Sequence, residues 1–90
     1  VSREVWKYRV SHVSEGTPSI SMPAGAQIVH ADVQHPHTVW IWAIVDPRRD
    51  RELRSIAFFA TGEPIPEGWE HRGTALDMHA GLVWHVFERP

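Results

Sequence analysis

Hydrophobic and polar positions alternate along most of the chain with a period of two, the spacing that puts one side of an extended segment in a core and the other in water. From Trp6, the positions Trp6, Tyr8, Val10 and His12 alternate with Lys7, Arg9, Ser11 and Val13. Pro18, Ile20 and Met22 then alternate with Thr17, Ser19 and Ser21. Proline has no donor for a ladder, so this second strand is expected at a sheet edge. Pro23-Ala24-Gly25 supplies turn chemistry, and alternation resumes from Ile28 to Gln34 until His35-Pro36-His37 breaks it. Val39-Trp40-Ile41-Trp42-Ala43-Ile44-Val45 is different: apolar on both faces and rich in β-branched and aromatic residues. It reads as a central strand with water on neither side. Asp46-Pro47 ends it, and the charged run through Glu52 reads as a solvated loop.

Residues 53–60 fit two periods. Leu53, Ile56, Ala57 and Ala60 match a helical stripe with Asp50 as N-cap, whereas Arg54, Ile56, Phe58 and Ala60 match one face of a strand. Adjacent Phe58 and Phe59, the short length and the closing Gly62 favour the strand. Two prolines between Gly62 and Gly68 make a loop, Trp69 to Met78 a strand, His79-Ala80-Gly81 a turn, and Leu82 to Glu88 a last strand. About seven short strands punctuated by Gly and Pro predict an all-β fold, a small antiparallel β-sandwich or partly open barrel, with segment 53–60 as its one candidate helix. No linker or repeat divides the chain, so residues 1–90 form a single domain.

Composition narrows the function classes. A formal charge of −2 gives no bulk attraction to nucleic acid or to an anionic membrane. The absence of cysteine excludes disulfides and thiolate chemistry. No apolar run approaches the roughly 20 residues that span a bilayer, and no signal-like segment is present, so the expected location is the cytoplasm. The five Trp are expected to fill the core of a small domain. Protonating all seven His would carry the formal charge from −2 to +5, which makes assembly sensitive to acid.

The chemistry-bearing clusters mostly have structural readings. His35 and His37, with His30 nearby, resemble a metal pair, but two imidazoles without a third ligand read as a polar loop. No nucleophile elbow or phosphate loop occurs, so no catalytic residue, cofactor or metal is assigned. His79, Asp77 and His85 read as a structural polar cluster. Arg48, Arg49, Arg51 and Arg54 could bind an anionic ligand, although Asp46, Asp50 and Glu52 offset them locally. Trp40 and Trp42 share one face of the central strand. If that face lies outward it is an interface, and a homo-oligomer, most simply a two-fold dimer, would cover it.

Five segments also resemble a family of small uncharacterised proteins encoded by tailed bacteriophages and prophages, many from actinobacterial hosts. They are Val5-Trp6-Lys7-Tyr8, Met22-Pro23-Ala24-Gly25-Ala26 with Ile28, Trp42-Ala43-Ile44-Val45-Asp46-Pro47, Thr61-Gly62-Glu63-Pro64-Ile65-Pro66, and Val83-Trp84-His85-Val86-Phe87-Glu88. The resemblance implies an accessory protein of the bacterial host cytoplasm. The residues favour a non-enzymatic homo-oligomeric binding module that engages a host or phage macromolecule. A protein that sequesters a nucleotide-type signal in antidefence, a minor virion or assembly component, and a metalloenzyme built on His30, His35 and His37 are the alternatives.

Overall fold

The computed structural model describes residues 2–16, 18–35 and 38–90. Its strands are β1 (Glu4–His12), β2 (Ile20–Pro23), β3 (Gln27–Val33), β4 (Val39–Val45), β5 (Arg51–Ala60), β6 (Glu70–Asp77) and β7 (Leu82–Arg89). The protein is therefore all-β, and among the described residues there is no helix. Segment 53–60 lies inside β5, whose pairing starts earlier than the alternation suggests: Arg51 and Glu52 pair with Pro23 and Met22. Charge alone did not mark that stretch as loop, because its side chains face outward while its backbone bonds β2. Thr17, Pro36 and His37 lie outside the described residues.

Local chemistry fixes the turns. Ala26 N–H donates to the Pro23 carbonyl at 3.2 Å, and Gly25 takes φ 78°, the left-handed geometry that the third position of such a turn demands. At the end of β4, the Asp46 carboxylate accepts from the Arg48 N–H at 3.1 Å and so stops the strand.

The sheet order is β3-β4-β1-β5-β7-β6, with β2 added on β5. β1 joins the two halves. Its length from Glu4 to Val10 pairs antiparallel with β4, and its end at Ser11 and His12 pairs parallel with β5. β6 then returns against β3 without a ladder and nearly closes a barrel. At this seam a Cβ on Gly73 would lie 3.0 Å from the Ala31 side chain. Glycine serves here by its size, letting two backbones approach.

The interior is narrow, and its composition follows. Ala26, Ala31, Ala43 and Ala75 are buried alongside Val10, Met22, Val39, Ile41, Val45, Ile56, Phe58 and Val86. None of the five Trp is fully buried: Trp6, Trp40, Trp42, Trp69 and Trp84 are all half-exposed. The expectation that Trp fills the core is met in part: Trp6 and Trp84 pack against the core cluster without being sealed, and Trp84 meets Phe58 at 5.0 Å. Gly73→Val is expected to force the β3–β6 seam apart and to lower stability by about 1–3 kcal/mol. Chemical denaturation checks this through a reduced midpoint.

Candidate interaction face

Pairing register sorts the side chains of β3, β4 and β1 into two faces. Val39, Ile41, Ala43 and Val45 point into the barrel and are sealed, at 1% exposure or less. The opposite face carries Trp40, Trp42 and Ile44, which remain half-exposed. Arg9 and Asp32 flank Trp40, Lys7 and His30 flank Trp42, and Val5 and Gln27 flank Ile44. The central strand therefore has one dry flank and one partly wet flank, a correction to the expectation of two dry ones. The chain supplies part of the cover itself. The Lys7 ammonium lies 4.1 Å from the Trp40 ring centroid and 5.7 Å from that of Trp42, and it donates onward to Gln34. His30 packs 5.4 Å from Trp42. A bulge at Val29 turns another apolar side chain outward, and Val5 is 60% exposed.

The other half of the sheet solves the same problem internally. On the outer side of β5 and β7, Phe59 and Phe87 pack edge-on at 5.5 Å, and Trp69 from the segment before β6 folds onto Phe59 at 5.4 Å. Arg89 lies over that indole. Phe59 is 1% exposed as a result. Two apolar outer faces thus exist, and among the described residues only one has a segment laid across it.

The four arginines read as a possible anion site are dispersed. Arg48 is exposed and chelates Asp46, whose carboxyl is held below its usual range chiefly by that hydrogen bond. Arg51 lies over Trp6 and donates to the Ser21 carbonyl. Arg54 is turned inward, with both carboxylate oxygens of Glu88 at 2.6 and 2.9 Å and a further bond to the Ala26 carbonyl. Arg72 also donates to Glu88 at 2.9 Å. This Arg54–Glu88–Arg72 network closes one end of the barrel and ties β5, β6, β7 and the start of β3 together. Arg49 faces a cavity of about 210 Å³ lined also by Arg3 and Asp46, and Arg54 lines a separate concavity of about 340 Å³ with Glu52, Glu88 and Arg89. The four residues are not one site, since alternate strand positions sent Arg54 inside while its neighbours stayed out.

The histidines divide similarly. His35 is exposed at φ 63° in the β3–β4 turn, and among the described residues no group of three or more His, Cys, Asp or Glu could hold a metal. Asp77 and His85 point to opposite faces of the β6–β7 ladder, and His85 bonds Thr61 at 2.8 Å. A cluster that spacing did not reveal joins Ser14, His12 and Glu63. The Ser14 N–H donates to His12 Nδ1 at 3.2 Å, which makes Nδ1 an acceptor and leaves Nε2–H to donate to Glu63 at 2.6 Å. Ser14 Oγ also lies 2.6 Å from Nδ1. The connectivity is that of a nucleophile, base and carboxylate, but serine and histidine come from one tight turn. The neighbouring groove is lined by Val13 and Gly16 with Ser14 outside it. Glu63 also accepts from the Ala60 N–H at 2.6 Å, so the cluster pins the segment after β5 against the end of β1. The pair is 51 residues apart in sequence, which is why local spacing gave no sign of it.

Both anchoring carboxylates titrate low. Hydrogen bonding from Arg54 first, assisted by Arg72 and opposed by burial, holds Glu88 below the usual range. The His12 bond does the same for Glu63. A depressed folded value means that the stabilisation is complete above the unfolded value of about 4.3 and is lost as pH falls through the folded one. Glu88→Gln leaves two guanidiniums without their buried anion and is expected to cost about 3 kcal/mol at pH 7. In urea melts from pH 7 to pH 2.5, the parent should lose stability below about pH 4 more steeply than this variant does.

No curated protein and no solved structure matches the chain. A family model does, over residues 1–90, under the description "Domain of unknown function (DUF7352)". The chain belongs to the DUF7352 family.

Proposed function

We propose that the protein is a non-enzymatic, homo-oligomeric recognition module of the bacterial host cytoplasm, of phage accessory type, whose contact surface is the outer face of β3, β4 and β1. One observation carries this reading. The Trp40–Trp42–Ile44 row is an apolar strip that no segment among the described residues seals, whereas Trp69 seals the equivalent strip over Phe59. Half-exposed indoles rimmed by Lys7, Arg9 and Asp32 combine an anchor that gains by desolvation with charges that set orientation. Lysine chains lying on aromatic rings keep such a strip tolerable in water until it is covered.

A second reading, binding of a small anion, is favoured by the cavity lined with Arg3 and Arg49. Asp46 shares that lining, and Arg48 neutralises much of its charge. A nucleotide would therefore find two guanidiniums there and no aromatic side chain to stack on.

Photocrosslinking separates the two. Val5→p-benzoylphenylalanine places a probe at the margin of the face, and Leu53→p-benzoylphenylalanine places one at a 74% exposed site on β5. Irradiation in a bacterial host is expected to give discrete protein adducts from position 5 and none from position 53. Absence of any adduct at position 5, together with a rise in Tm of several degrees when millimolar nucleotide is added, would replace the first reading by the second.

A further inference from the structure

Resting on that reading, we infer that the face is completed by a second copy of this chain, packed face to face about a two-fold axis running along β4. The argument lies in the register. Arg9, Trp40 and Asp32 form one row across β1, β4 and β3, and Lys7, Trp42 and His30 form the next. Cations therefore stand on the β1 side of the tryptophans, and an anion stands at the same height on the β3 side. Arg9 and Asp32 are two strand spacings apart, about 9.6 Å, with an indole between them. Asp32 Oδ2 has His30 at 3.7 Å and Oδ1 accepts from the Val33 N–H at 2.8 Å, yet the side chain remains 51% exposed and keeps lone pairs for a partner cation.

A rotation about an axis along β4 lays β1 of one copy over β3 of the other. Arg9 then meets the partner's Asp32, and by symmetry the same pair forms a second time. Trp40 and Trp42 pack against their own equivalents, which removes the apolar row from water on both copies. The alternative axis, in the sheet plane but across the strands, lays β1 over β1 and opposes Lys7 and Arg9 to like charges. Charge thus selects one of two packings that apolar contact alone would leave equivalent. The same pattern argues against a uniformly acidic partner, which would have to cover Asp32 without a cation for it.

Size sets the strength. Three rows on three strands offer nine side chains per copy, below the roughly 20–30 of a standard interface. The dimer is therefore expected to dissociate in roughly the micromolar range and to weaken as salt screens its rim.

The test is a charge exchange. Arg9 and Asp32 are both exposed, so neither substitution removes a core contact, and matching thermal melts will verify folding. In sedimentation velocity at about 50 mM salt, Arg9→Asp and Asp32→Arg should each weaken self-association by about tenfold or more, because like charges then face each other twice. Mixed in equal amounts, the two variants should form a heterodimer within about threefold of the parent's affinity, since every introduced charge then faces its opposite. Retained dimerisation of either single variant, or failure of the mixture to associate, overturns the proposed packing. A parent that stays monomeric at several hundred micromolar overturns the dimer itself. In that case, a position-5 photoadduct to a different protein would leave the recognition reading standing, and no adduct at all would remove both.

Discussion

A strand that is apolar on both sides needs two covers, and a 90-residue barrel contains only one interior. That constraint on β4 organises the rest of the molecule. Its inward side chains, Val39, Ile41, Ala43 and Val45, meet the barrel core, which β6 completes by closing on β3 through the missing side chain of Gly73. Its outward side chains have no second layer to meet. What lies there is borrowed from the rims: the Lys7 stem laid across two indoles, and the His30 ring tilted against Trp42. The contrast with β5 is instructive because the same chain seals Phe59 with Trp69 through the loop that precedes β6. The fold can cover an outer face when a connection passes over it. On the β3–β4–β1 side, none of the described residues passes over the face.

Much of this was legible in the order of residues. The seven strands follow from period-two alternation, and the bounds of β4 coincide with the apolar run because Asp46 both caps it and precedes a proline. The helical alternative for 53–60 fell to the strand because Phe58 and Phe59 need opposite environments, the barrel interior and the Trp69 cluster, and only an extended backbone provides them. Edge placement of β2 followed from Pro18. What local pattern could not supply was distance. The Arg54–Glu88–Arg72 network joins three strands, and the His12–Glu63 bond joins the end of β1 to the segment after β5. Neither has a spacing to recognise. The division of the tryptophans between core and outer face has the same origin, since composition says how much apolar area a chain can bury and nothing about how wide its interior is.

The molecule uses its charged residues in two physically different ways. At the closed end of the barrel, Arg54 and Glu88 are withdrawn from solvent, with side-chain exposures of 16% and 5%. Salt does not reach them, and their geometry is over-determined by bonds to β3 and β6. Such a network costs desolvation and returns rigidity, so its value is conformational. On the open face, Arg9, Lys7 and Asp32 are exposed, and charges held in water contribute little to folding. Their worth is directional: an apolar row by itself accepts a partner in either orientation, and a cation column opposite an anion does not. The residue types overlap between the two places, and what separates their roles is the parity of each position along its strand. In a domain this small, parity along each strand sorts the side chains, and on β4 it seals one side in the core and leaves the other half-exposed.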